Sequence, residues 1–150
     1  MKANQIARVQ QSFKSVVPIA EIAAGIFYDR LFKLDPSLRG LFRGDMKAQG
    51  QKLMQALHIV VNGIDRIETI LPAVQDLGRR HVHYGVQDSH YDTVGAALIW
   101  TLEQGLGDEF TIEVEEAWTA AYTLLAGAMK EAAAEVAVPN ESAAYQKHAA

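Results

Sequence analysis

The sequence predicts an all-α fold, and three observations predict it. Apolar residues recur at three- and four-residue spacing along nearly the whole chain. No alternating apolar run is bounded by hairpin turn signals. The breaks between the periodic stretches carry proline, glycine or a short polar side chain suited to an N-cap.

The elements follow in chain order. Ile6, Val9, Phe13 and Val17 form one stripe, and Pro18 then occupies the first-turn position of a second helix bearing Ile22, Ile26, Phe27 and Leu31. Asp35-Pro36 repeats that start signal ahead of a short segment, Ser37 to Phe42, and Gly44-Asp45 breaks the chain again. A long helix from Met46 to Gly63 presents Leu53, Leu57, Val60 and Ile64 on one face. Asp65 and Glu68 have the spacing of a capping box, Pro72 restarts a helix through Ile70, Val74 and Leu77, and Gly85 ends it. Asp88 or Ser89 caps a segment with Tyr91, Val94, Leu98 and Leu102 that stops near Gly105 and Gly107. Thr111 caps the last helix, where Glu113, Glu115 and Glu116 favour the positive end of the dipole and Trp118, Tyr122, Leu125 and Met129 make the buried stripe. The count is about seven helices with short connections.

The chain of 150 residues is the size of one domain. That domain is expected over residues 1–136, and residues 137–150, with Pro139 and Asn140 and few large apolar side chains, are expected to form a loosely ordered tail. With no cysteine, disulfides, thiolate metal sites, Fe–S clusters and cysteine nucleophiles are excluded, so a metal must be held by His, carboxylate or oxygen. The 14 Lys+Arg against 18 Asp+Glu leave a net charge of −4, which argues against nucleic acid or an anionic membrane as partner. No apolar run approaches the ~20 residues of a membrane span, and the N-terminus leads into an amphipathic pattern. A soluble, cytoplasmic protein is expected.

Chemistry is sought where a polar residue sits on an apolar stripe. Gln49 lies one turn before Leu53 and His81 one turn after Leu77, so each continues its helix's apolar face. Tyr28 sits beside Phe27 on the flank of a helix whose Ala23, Ala24 and Gly25 allow close approach. Bland readings exist for all three: a capping or surface histidine, a glutamine at a wet helix end, and a tyrosine that packs its ring and hydrates its hydroxyl. Catalytic alternatives are weaker. Asp88, Ser89 and His90 are consecutive and cannot form a relay; a zinc site of His81, His83 and His90 exists in count only, because His81 and His83 point roughly 200° apart and cannot both ligate one ion unless the helix has already ended.

Taken together, these residues resemble the globin family. The resemblance rests on Pro36 six residues before Phe42, the helix with Gln49 and Leu53, and Leu77-Gly-Arg-Arg-His81 followed by Tyr84-Gly85-Val86. It spans roughly residues 4 to 135 and is closest to bacterial single-domain haemoglobins and the haem domain of flavohaemoglobins. It implies a globin fold around a pocket for one haem b per chain. His81 would be the proximal ligand of the iron, through a neutral imidazole whose other nitrogen donates to a backbone carbonyl or side chain. Phe42 would pack on the haem plane and Val86 would touch it just after the proximal helix. Leu77 and Tyr91 complete the cofactor-binding set on that side, and Lys52 and Arg80 occupy places suited to the propionates. On the opposite face the resemblance implies Tyr28 and Gln49 as the functional distal pair, hydrogen-bonding a bound gas, with Leu53 crowding it.

Two departures from the flavohaemoglobin pattern stand out. There a tyrosine and a glutamate behind the proximal histidine push electron density toward iron. Tyr91 matches the tyrosine, but an ungapped count from Trp118 puts Ala133 in the glutamate's place, with Glu131 and Glu135 on other helical faces. No Gly-rich dinucleotide fingerprint is present. The implied function is binding of O2, NO and CO, extending to nitric oxide dioxygenase activity that converts NO and O2 to nitrate with electrons from a separate reductase. O2 storage, delivery or sensing without turnover is the second reading. A haem-free regulatory module of the same fold is the third. The chain is expected to be a monomer or weak homodimer.

Overall fold

The computed structural model describes the backbone of residues 1–149 and the side chains of residues 1–136. Among the described residues there are six α-helices: α1 (Ala3–Val16), α2 (Ala20–Leu34), α3 (Met46–Gly63), α4 (Ile67–His83), α5 (Asp88–Leu106) and α6 (Ile112–Ala149). Short 3-10 turns at Val17–Ile19, Pro36–Leu41, Ile64–Arg66 and Gly107–Glu109 join them, and no strand occurs among the described residues. The expected seventh helix is thus the 3-10 segment Pro36–Leu41. The side chains of residues 137–150, where the loose tail is expected, lie outside those described.

Local chemistry explains most boundaries. Asp35 accepts from the Ser37 amide at 3.1 Å, Asp45 from the Lys47 amide at 3.1 Å, and Thr111 from the Val114 amide at 3.2 Å, each satisfying an orphan helix-start donor. Gly85 and Gly107 take positive φ values of 88° and 56° after α4 and α5, a region that costs L side chains energy.

Two boundaries differ from the sequence expectation. Neither Asp88 nor Ser89 caps α5: Gln87 precedes the helix, and its amide donates to His90 Nδ1 at 2.9 Å. Helix α4 begins at Ile67 and carries Pro72 inside it, so Pro72 restarts nothing, and Asp65 lies in the preceding 3-10 turn, where it meets Gln10 instead of capping. An interior proline removes one hydrogen bond and costs ~3 kcal/mol in an isolated helix. Here Ile70, Val74 and Gly78, four residues apart, are all buried, and the packing of that face against the rest of the molecule offsets the loss.

Helix α6 lies along α4 and α1, α2 lies along α5, and α3 crosses α2. The core joins Val9, Phe13, Phe27, Leu31, Leu98, Leu102 and Trp118, with the Trp118 indole donating to Ser12 Oγ at 2.8 Å. Two stripe assignments shift. Val16, not Val17, is buried beyond Phe13, and Ile22 is exposed.

Glycines set the closest helix approaches. A Cβ on Gly78 would stand 2.4 Å from the Met129 backbone oxygen, so α4 and α6 touch backbone to backbone. A Cβ on Gly50 would stand 3.0 Å from Ala24 Cβ, where α3 crosses α2.

Candidate functional site

The α2–α3 crossing brings Tyr28 and Gln49 together. Tyr28 is 7% exposed, and its ring is enclosed by Phe27 edge-on at 5.0 Å, Phe42 edge-on at 5.3 Å and Phe32 stacked at 6.0 Å between centroids. Phe32 and Phe42 meet at 5.5 Å, closing a triangle around the tyrosine. Burial raises the Tyr28 phenol above its ordinary value of 10.0, and a hydrogen bond with the Gln49 side chain pulls it part of the way back. The hydroxyl therefore keeps its proton at neutral pH and is available as a donor. Leu53 is half-buried one turn beyond Gln49 on the same face of α3.

His81 occupies the last turn of α4. Its Nδ1 lies 2.7 Å from the Leu77 carbonyl oxygen. A carbonyl only accepts, so Nδ1 carries the hydrogen and the neutral ring leaves the Nε2 lone pair free. Burial pushes the imidazole below its ordinary 6.5, the Leu77 bond opposes this, and the neighbouring Arg80 charge adds to the lowering. The neutral form is favoured, and it is the form that ligates metals.

The turn after His81 leads back toward the aromatic cluster. The Val86 amide donates to the His81 carbonyl at 3.0 Å, and a Cβ on Gly85 would lie 3.4 Å from Leu41, the residue before Phe42. The chain thus brings the end of α4 against the segment that carries Phe42. Leu77 and Val86 are half-buried beside it.

The remaining sequence candidates are arranged differently. Lys52 is exposed, and Arg80 is exposed with Nε 3.2 Å from Asp76 Oδ2, an i,i+4 pair. Tyr91 is buried, its hydroxyl has no partner among the described residues, and Lys130 Nζ stands 5.5 Å from its ring centroid. The Tyr122 hydroxyl donates to the Tyr91 carbonyl at 2.5 Å. Ala132 and Ala133 are buried on α6, whereas Glu131 and Glu135 are exposed, with Glu135 3.9 Å from Arg79. No carboxylate bonds Tyr91 among the described residues.

The family model described as Globin matches residues 26–129. The chain belongs to the globin family. This globin is 35% identical over 120 residues to the flavohemoprotein of Vibrio cholerae, covering 75% of this chain and 30% of that protein. It is 34% identical over 122 residues to the flavohemoprotein of Bacillus subtilis, covering 77% of this chain and 31% of that protein. The match therefore spans about a third of those relatives' length. Among solved structures, an engineered carbene transferase from Rhodothermus marinus superposes with a TM-score of 0.86 at 25% identity, covering 94% of this globin and 99% of that chain. A bacterial globin from Campylobacter jejuni superposes at 0.79 with 21% identity, covering 90% and 98%. The fold is the globin fold.

Sequence reasoning missed Phe32 and Gly50. Phe32 lies one turn after Tyr28, a spacing that was readable. Gly50 sits inside a helix, where glycine is disfavoured by about 1 kcal/mol, a signal that some neighbour needs the space. An open groove of about 510 Å³ lined by Arg30, Trp100, Glu103 and Tyr122 among others lies elsewhere and includes none of the candidate residues.

Proposed function

We propose that this globin holds haem b, one per chain, through His81 and binds O2, NO and CO beside Tyr28 and Gln49. The observation that carries the reading is His81 with Nδ1 committed to the Leu77 carbonyl, which leaves a neutral, unprotonated Nε2. The surroundings suit a flat apolar group: Phe42, Leu53, Leu77 and Val86 are all only half-buried in the protein alone. The Tyr91 hydroxyl is a buried polar atom still lacking a partner. When bound, haem iron supplies reversible binding of diatomic gases.

The residues of the chain do the rest. His81 fixes the position of the group, and the Leu77 bond fixes the imidazole's tautomer and rotation. Phe42 and Leu53 exclude water. Tyr28, kept protonated by burial, donates to a polar gas ligand and so favours O2 over CO, with Gln49 steadying the hydroxyl or donating beside it. Each such bond contributes ~1–2 kcal/mol and slows O2 release by roughly 5- to 30-fold.

The reading extends to nitric oxide dioxygenation, in which NO, O2 and one electron give nitrate, the electron coming from a separate reductase. The flavohemoprotein relatives and the Rhodothermus protein, whose description proposes it as a nitric oxide dioxygenase, support this extension. Stopped-flow NO consumption with and without a reductase tests it: turnover only with the reductase is expected, and no turnover in either case removes it. One observation favours O2 storage, delivery or sensing instead. Ala133 is buried at the position where the flavohaemoglobin pattern has a glutamate, and among the described residues no carboxylate bonds the Tyr91 hydroxyl.

A further inference from the structure

The open groove between α2, α5 and α6 lies in the most acidic part of the molecule, and that charge selects its occupant. We propose that the groove is a docking site for a basic segment of a partner protein, one in which Lys or Arg residues flank an apolar side chain. The inference is independent of the gas-binding reading, because the groove includes none of the residues assigned to it.

Charge is distributed unevenly along the chain. Residues 1–80 hold twelve of the 14 Lys+Arg against seven Asp or Glu, whereas from His81 to Met129 there is no Lys or Arg and there are eight Asp or Glu. Those eight lie on α5, the 3-10 turn after it and the start of α6, and none forms an ion pair among the described residues. Helix dipoles account for part of the set, since Asp88, Glu113 and Glu115 stand in first turns. They do not account for Glu103, which stands in the last turn of α5 beside its orphan carbonyls, where a negative charge is unfavourable.

The groove opens on this face. Its volume of about 510 Å³ is that of a ligand cleft; Asp92, Glu103 and Glu115 supply its carboxylates, and Leu34, Trp100 and Tyr122 supply apolar surface. Leu34 is 42% exposed and Trp100 37%, so that surface meets solvent in the free protein. The Arg30 guanidinium lies 4.1 Å from the Trp100 ring centroid, and its Nε is buried with no hydrogen-bond partner among the described residues. Arg30 is therefore committed to the tryptophan face and leaves the three carboxylates unpaired. A partner segment that brings cations to those carboxylates and an apolar side chain to Trp100 and Leu34 satisfies both halves of the surface at once. An aromatic anchor ringed by charge is a common build for a protein contact, with the anchor giving affinity and the charges steering the approach. Nucleic acid and anionic lipid are repelled by the same charges.

The test titrates 15N-labelled protein with the capped peptide Lys-Lys-Phe-Lys-Lys and follows the two tryptophan indole N–H resonances by NMR, assigned with Trp100→Phe. Trp118 is buried and donates to Ser12, so it serves as an internal reference. The expected result is a saturable shift of the Trp100 resonance with Trp118 unmoved, weakened by added salt. Replacing Phe by Ser in the peptide is expected to weaken binding about 5- to 30-fold. The double variant Glu103→Gln/Glu115→Gln, at two exposed positions, is expected to weaken it about 2- to 20-fold while leaving Tm unchanged. A Trp100 resonance that stays in place at millimolar peptide overturns the proposal, as does a double variant that binds like the parent. A serine peptide or spermine that binds as tightly as the phenylalanine peptide overturns it too, because charge alone then explains the shift. A Trp100 shift produced by concentrating the protein without peptide gives the groove to a second copy of this chain and likewise overturns it.

Discussion

Two of the glycine-mediated helix contacts lie beside the candidate residues and differ in tolerance. At Gly78, one turn before His81, α4 meets the backbone of α6, and an added Cβ would stand 2.4 Å from a carbonyl oxygen. At Gly50, beside Gln49, α3 meets only the methyl of Ala24, at 3.0 Å. The polar groups differ as well. On the α2–α3 side the Gln49 side chain draws the Tyr28 phenol down against the effect of burial, while Tyr91, on α5 against Tyr122 of α6, has a buried hydroxyl with no partner among the described residues. The contact beside His81 is thus set by two backbones, and the contact beside Gln49 by a single methyl group. Under the proposed function, the backbone contact steadies the helix that carries His81, and the methyl contact leaves the side with Tyr28 and Gln49 room to adjust.

That contrast can be broken most severely at Gly78. Gly78→Ala forces two backbones apart, and we expect a loss of about 2–4 kcal/mol, a fall in Tm of roughly 5–15 °C by thermal unfolding. Gly50→Ala is expected to cost under about 1 kcal/mol, because helix propensity returns part of the strain. Equal losses at the two positions would remove the contrast. On the tyrosine side, Tyr28→Phe is expected to speed O2 release by roughly 5- to 30-fold while leaving stability within about 1 kcal/mol, measured by stopped flow and urea unfolding.

The histidine side should also carry a pH signature. The folded-state pKa of His81 is depressed below 6.5, so as pH falls the unfolded chain takes up this proton before the native state does. Its contribution to stability is full above about pH 6.5 and is lost as pH falls toward the folded-state value. Urea midpoints at about pH 7.5 and about pH 5.5 should differ less in His81→Gln than in the parent protein. The smallest effect is expected at Arg80. Its pair with Asp76 is exposed on both sides, so Arg80→Ala should change stability by less than about 1 kcal/mol.

Much of this arrangement was legible in the sequence, and the limits have physical causes. Asp35, Asp45 and Thr111 cap where short polar side chains precede periodic stretches, because capping is decided within a few residues. His81 was marked out by one turn of spacing from Leu77, but its acceptor was left as some backbone carbonyl or side chain, and the structure supplies the Leu77 carbonyl. Pro72 misled because a proline's local cost is fixed while its tolerance depends on distant packing, here the buried face of α4 beside α6. Gln87 escaped notice because the capping partner is His90, three residues on. Val17 and Ile22 were placed inward by a spacing of four where the helix axis required three or a turn away. Gly50 needed the crossing partner to be known, and a single chain read linearly does not reveal which helix passes over which.

The central claim is that His81 holds a haem group opposite Tyr28 and Gln49. It is tested most directly by the absorbance spectrum of the purified protein after addition of one equivalent of haem, recorded for the parent chain and for His81→Ala. The account predicts an intense Soret band in the parent that is shifted and weakened in the variant and partly restored by added imidazole. A parent protein with no Soret band, or a variant whose spectrum matches the parent's, would contradict it.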